Sequence, residues 1–274
     1  MVEKHDLPRV KDKLWIWGNE FAEHNKEWGI KGLSQMTPAE GAFYLGVPNI
    51  LLGRAYGKPA PPFEQYVVRL SPLKRIVWSI VGSAGETESN EIDLAYSLAA
   101  RFPNICGLMM DDFFHLPPSP VDENGKIAVF TPMEIKAIKE ESITSGRKLD
   151  LWVVLYDEQL DLPVGEHLKQ CDVISLFRWN AKEIDNLERN FERLEKLSPL
   201  SRKVLGCYMY DWGNKKLMPI SLMEKQCQLG LRWLQEKRIE GMLFCSSSIC
   251  DLGLETVEWT RKWIQKVGEK KLNE

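Results

Sequence analysis

What this sequence lacks narrows the field before any motif is read. No apolar run reaches the roughly 18 residues of a membrane-spanning helix, and the opening MVEKHDLPRVKDK has no apolar core of the signal-peptide kind. Positive charge is not in surplus: 36 Lys and Arg against 39 Asp and Glu leave a formal net charge of −3. Attraction to a nucleic-acid backbone or an anionic membrane is therefore not expected. The six cysteines, Cys106, Cys171, Cys207, Cys227, Cys245 and Cys250, form no C-x-x-C pair, and four lie in or beside apolar runs. Buried free thiols in a reducing, cytoplasmic compartment are the expectation, with a trimmed leader as the alternative. With four histidines there is no H-x-H or H-E-x-x-H for zinc. No G-x-G-x-x-G follows the first strand, and there is no P-loop and no G-x-S-x-G elbow for a serine nucleophile.

What is present is an ordinary globular composition, 44% hydrophobic and 27% charged, in 274 residues. Short, nearly continuous apolar runs recur along the chain, as strands buried on both faces of a parallel sheet should read. They are LWIWG from Leu14, NILLGRAY from Asn49, RIVWSIVG from Arg75, ICGLMMDD from Ile105, LDLWVVLYD from Leu149, DVISLFRW from Asp172, KVLGCYMYDW from Lys203 and GMLFCSSS from Gly241. Helix-like segments separate them. TPAEGAFYLG and TPMEIKAIKEE both open on a capping box with proline at the first helical position. KEIDNLERNFERLEKL carries Ile184, Leu187, Phe191, Leu194 and Leu197 on one stripe. Eight strand–helix beats predict a (β/α)8 TIM barrel forming a single domain over residues 1–274, with a doubly wound sheet as runner-up. The longest irregular connection, about residues 115–130, follows the fourth strand, where a barrel places a lid.

Barrel enzymes build their sites at the C-terminal ends of the strands, and chemistry-bearing residues collect at those ends here. In strand order they are Trp17, Asn19 and Glu20; Arg54 and Tyr56; Ser79 and Ser83; Asp111, Asp112 and His115; Tyr156, Asp157 and Glu158; Arg178, Trp179 and Asn180; Tyr208, Tyr210, Asp211 and Trp212; and Ser246 to Ser248. Each acid has a plainer reading, as the cap of the helix that follows. Two adjacent acids fit that reading less well, because successive strand residues point to opposite faces. Gly107 and Met109 share parity with Asp111, which favours Asp111 as the inward one. Arg54 and Arg178 could serve as structural partners of the acids, and His115 could be a surface residue.

Carboxylates, aromatic platforms and polar donors suit carbohydrate chemistry. Glycoside hydrolysis needs one carboxylic acid to protonate the leaving oxygen and a second carboxylate as nucleophile or base. The expected catalytic group is Asp111 or Asp112 with Asp211, with Asp157 or Glu158 as the alternative second acid. Trp17, Asn19, Glu20, Arg54, His115, Tyr156, Arg178, Trp179, Asn180, Tyr208, Tyr210, Trp212 and Ser246 are the expected contacts to a small-molecule or oligosaccharide substrate. No cofactor is needed for this chemistry. One alternative is a metal-dependent sugar isomerase, epimerase or lyase, with strand-end acids holding Mg²⁺ or Mn²⁺. The other is a barrel that only binds carbohydrate. The strand–helix pattern over the whole chain, with acids after strands four and seven, resembles the glycoside-hydrolase-like TIM barrels. The resemblance implies strand-end catalytic carboxylates at Asp111, Asp112 and Asp211. The chain departs from the group in having no Asn-Glu pair at strand four, no glutamate ending strand seven and no D-x-x-D-x-D-x-E run. Nothing in the residues defines an oligomeric state.

Overall fold

The eight apolar runs form eight parallel strands hydrogen-bonded into a closed ring. In the computed structural model, which describes residues 7–115, 126–144 and 146–272, they are β1 (Leu14–Gly18), β2 (Asn49–Leu52), β3 (Arg75–Val81), β4 (Ile105–Met110), β5 (Asp150–Tyr156), β6 (Val173–Phe177), β7 (Arg202–Tyr208) and β8 (Gly241–Cys245). Closure pairs β1 with β8, Trp15 opposite Leu243 and Trp17 opposite Cys245. Around the ring lie α1 (Pro38–Leu45), α2 (Phe63–Arg69), α3 (Glu91–Arg101), α4 (Pro132–Thr144), α5 (Gly165–Leu168), α6 (Leu187–Leu197), α7 (Ile220–Gln235) and α8 (Glu255–Val267). The fold is the (β/α)8 barrel that the pattern predicts. Among the described residues no helix is long and apolar enough to cross a membrane, and all six cysteines are free thiols.

Local rules set the elements. At α1, Thr37 Oγ1 accepts from Glu40 N at 3.4 Å while Thr37 N donates to Glu40 Oε2 at 2.9 Å. The same reciprocal box opens α4 through Thr131 and Glu134. Each box satisfies amides that the first helical turn leaves unpaired. α6 buries Leu187, Phe191 and Leu194, and the Phe191 ring stacks on Trp233 of α7 at 4.2 Å.

The barrel interior is filled by large rings opposite missing side chains. Trp15 meets Trp152 with centroids 5.0 Å apart, and above them Trp17 meets Phe177 at 5.9 Å. Glycines on neighbouring strands leave the space. A Cβ on Gly206 would lie 2.3 Å from Phe177 Cδ1, one on Gly53 2.6 Å from Trp17 Nε1, and one on Gly241 3.0 Å from Trp15 Nε1. At the N-terminal end the Arg75 guanidinium lies 4.5 Å over the Trp15 ring and donates to Asn49 Oδ1 at 3.0 Å. These contacts cover the Trp15 layer from below.

One expectation changes. β7 stops at Tyr208; Tyr210–Asp211 turns away and pairs antiparallel with Lys216–Leu217. The connection after β4, about 115–130, lies partly outside the described residues, at 116–125. Its flanks are tied together, His115 N donating to Ile127 O at 2.9 Å. A second long irregular connection runs from β1 to α1, residues 19–37.

Gly206→Ala should lower stability by about 1–3 kcal/mol, because the methyl group meets a packed ring rather than a flexible end. The check is a lower denaturant midpoint with an unchanged m-value; an unchanged midpoint would contradict this packing.

Candidate active site

The mouth holds a cavity of about 140 Å³, open to solvent on one side and walled by Trp17, Tyr156, Phe177, Trp179, Tyr208 and Trp212. Asp111 and Asp112, just beyond β4, both line it. Parity puts Asp111 inward, and it is 7% exposed. Asp112 also reaches the cavity because its backbone takes a positive φ of 42°, which breaks the strand alternation. The two residues differ in their surroundings. Asp112 Oδ1 accepts from the Tyr156 hydroxyl at 2.9 Å and Oδ2 from Ala84 N at 2.8 Å. Asp111 Oδ1 accepts from Asp112 N at 2.9 Å. Burial, and next the Asp112 charge, push the Asp111 carboxyl well above the usual range. Burial raises the Tyr156 and Tyr208 phenols as well, which keeps them as proton donors.

Across the mouth, the β1–α1 connection adds Glu23, His24, Glu27 and Trp28 to the lining. Glu23 accepts from Asn19 Nδ2 at 2.7 Å and from Glu20 N at 3.1 Å. Burial pushes its carboxyl up to about 7. His24 Nδ1 lies 2.6 Å from Ser248 Oγ, and burial lowers the ring to about 4, leaving it neutral at pH 7. Tyr210 supports this connection from β7, its hydroxyl donating to Trp28 O at 3.0 Å. Sequence reasoning passed over these four residues because they follow no strand directly. The acid- and aromatic-rich EFAEHNKEW in a long connection at the catalytic end was the available signal.

Of the other expected site residues, Trp17, Asn19, Arg54, Tyr156, Trp179, Tyr208 and Trp212 line the cavity. Arg54 is not a free cation: it forms a buried ion pair with Glu91 and lies 5.2 Å over the Phe63 ring. Asp211 is not brought opposite the Asp111–Asp112 pair. It is 1% exposed, accepts from Ala181 N at 3.2 Å and holds both oxygens on Asn214 Nδ2 at 2.9 and 3.0 Å. It braces the hairpin that carries Trp212. Asp157 is also outside the cavity, accepting from Asn190 at 3.2 Å. Burial raises it while the charge of Arg178 lowers it. Asp157 follows the inward-facing Tyr156 and so turns toward the layer between barrel and helices. Glu158 is exposed and away from the cavity. Asn180 accepts from Asn214 at 3.2 Å, Ser246 is buried against Ser248 at 2.8 Å, Glu20 contributes its amide to Glu23, and His115 and Tyr210 lie outside the lining. Among the described residues no group of three or more His, Cys, Asp or Glu side chains is placed to hold a metal ion.

Backbone strain concentrates here. Eight described non-glycine residues have positive φ, and seven lie on mouth connections: Ala22, Lys26, Trp28, Tyr56, Ala84, Asp112 and Lys215. Such conformations cost of order 1–3 kcal/mol each and persist where surrounding contacts impose them, commonly at functional sites. A helix-capping role for the acids would not require them.

No protein-family model and no curated sequence matches the chain. Solved structures do. A family GH18 chitinase from Chromobacterium violaceum has a TM-score of 0.57 at 12% identity, covering 94% of this chain and 85% of that one. A β-D-glucuronidase from Dictyoglomus thermophilum gives 0.56 at 9%, covering 98% and 55%. A xylanase–α-amylase inhibitor protein gives 0.57 at 13%, covering 93% and 99%. At these identities the likeness is one of fold, and the chain has the fold of the glycoside-hydrolase-like TIM barrels.

Glu23 yields a pH-dependent test. Between its usual value near 4.5 and about 7, the folded chain keeps a proton that the unfolded chain has lost. The stabilisation tied to that proton is complete below about pH 4.5 and lost as pH rises through about 7. Glu23→Gln removes the effect, so the stability difference should shift by about 3 kcal/mol in the variant's favour across that window. Urea denaturation of both proteins at several pH values measures it; a constant difference would refute it.

Proposed function

We propose that the protein is a glycoside hydrolase in which Asp111 and Asp112 are the catalytic residues. The observation that carries this reading is their unequal setting in one cavity: Asp111 is buried and its carboxyl is pushed up, while both Asp112 oxygens accept hydrogen bonds. A carboxyl raised by burial suits the role of acid, and its hydrogen-bonded neighbour that of partner. Asp111 gives its proton to the glycosidic oxygen as the bond to the anomeric carbon breaks. Asp112, held by Tyr156 and the Ala84 amide, sets a carboxylate beside the positive charge growing on the sugar ring. Water then adds its oxygen to the anomeric carbon, and the proton it gives up restores Asp111. The aromatic walls exclude bulk water and offer faces to the C–H side of a sugar. The fold supports the reading, since chitinase and glucuronidase structures share it.

A panel of aryl glycosides tests the proposal. Asp111→Asn and Asp112→Asn should each lower kcat/KM on the cleaved glycoside by about 10²–10⁴-fold with circular dichroism unchanged. Asp112→Asn should also move the alkaline limb of the residual activity to lower pH, because its charge helps to hold the proton on Asp111. Asp211→Asn should leave turnover near the native value and lower the denaturation midpoint instead. Turnover should survive prolonged chelation; its loss would favour the metal-dependent alternative. Sugar binding without cleavage of any glycoside would leave a binding barrel.

A further inference from the structure

We infer that the mouth cavity is built for a sugar bearing a free ammonium group, an amino sugar rather than a neutral or N-acylated one. The inference rests on the carbohydrate reading above but not on catalysis. Four carboxyl groups line the cavity: Glu23, Glu27, Asp111 and Asp112. The two lining residues able to carry positive charge cannot balance them. Arg54 is committed to Glu91, and His24 is neutral at pH 7. The cavity thus gathers four carboxyl groups, Asp111 buried, Glu23 and Asp112 partly buried and Glu27 exposed, with no free cation in its lining, and the raised Glu23 and Asp111 carboxyls register the cost. A cation within a few ångströms favours the ionised form of such groups and relieves that cost.

A second observation points to a ligand donor. Asn19 lines the cavity, is 4% exposed, and its Oδ1 has no hydrogen-bond partner. Nδ2 of the same amide donates to Glu23 Oε1 at 2.7 Å. An acceptor without a donor therefore sits beside a carboxylate, an arrangement an N–H⁺ group fits. Trp212 Nε1, also buried and without a partner, is a donor for a ring hydroxyl. Trp28 stands edge-on to Trp179 and Trp212 at 5.6 and 6.1 Å, and these rings complete the sort of aromatic wall against which ammonium groups are held. Lys215 shows the affinity within the chain itself, its ammonium lying 5.6 Å over the Trp28 ring.

Calorimetric titration of the full chain at neutral pH with two matched series tests this: glucosamine, N-acetylglucosamine and glucose, and galactosamine, N-acetylgalactosamine and galactose. In at least one series the amine should bind about tenfold or more tightly than both partners, as a charge-assisted hydrogen bond in place of a neutral one allows. High salt should weaken that preference. Glu23→Gln should reduce amine affinity and leave neutral-sugar affinity in place, whereas loss of a merely structural residue would change both alike. Equal or tighter binding of the neutral or acetylated sugars in both series overturns the inference, as does no amine binding at millimolar concentration. Amine binding without glycoside cleavage sinks the catalytic reading and keeps this one; cleavage of only neutral glycosides does the reverse.

Discussion

Two carboxyl groups on consecutive residues, set among aromatic rings at the barrel mouth, are the constraint from which the rest of this mouth follows. Removing one carboxylate from water is costly, and placing a second like charge beside it costs more. The chain meets this unequally. Asp112 is supplied with two donors, Tyr156 and the Ala84 amide, while Asp111, more deeply buried, has its carboxyl pushed up by burial and by the Asp112 charge. Reaching that arrangement requires the left-handed backbone at both Asp112 and Ala84. The strain and the electrostatics are one feature: without the turn at Asp112, its carboxylate would follow strand parity into the helical layer.

The barrel makes this possible by being solid below. Trp15 and Trp152, then Trp17 and Phe177, fill the interior in successive layers, with glycines on adjacent strands making room. Close-packed interiors have little compliance, so residues above those layers inherit fixed positions. Tyr156 and Tyr208 continue the same inward alternation as Trp152 and Gly206. The floor of the cavity is therefore the top of the core, and a change of volume inside the barrel would be felt at the acids.

The expected residues that miss the cavity miss it for geometric reasons. Asp157 and Arg178 each follow an inward residue, Tyr156 and Phe177, and so face outward, where each lies in the other's field. Asp211 lies an odd number of residues beyond the inward Tyr208 and would have faced outward had β7 continued; the strand instead ends at Tyr208, and a short hairpin holds the carboxylate on Asn214 and the Ala181 amide. The same hairpin brings Trp212 over the mouth. One strand end thus supplies a wall instead of an acid.

How far the residues alone could be read follows from the range of the forces involved. Strand and helix positions were legible because burial on both faces and the capping boxes are local patterns, and parity carried Asp111 to the correct side. Glu23, His24, Glu27 and Trp28 were not legible, because no period governs an irregular connection and its path is set by distant contacts such as Tyr210 to Trp28. Asp112 lay between: its presence was plain, its direction was not. The order of strands and helices, and the gathering of acids at one end of the sheet, were determined by the sequence through local periodicity. Which acids share a cavity was decided only by closure of the ring, because the field one carboxyl feels depends on groups that β1, β3, β4 and β5 bring together in space and the chain keeps far apart.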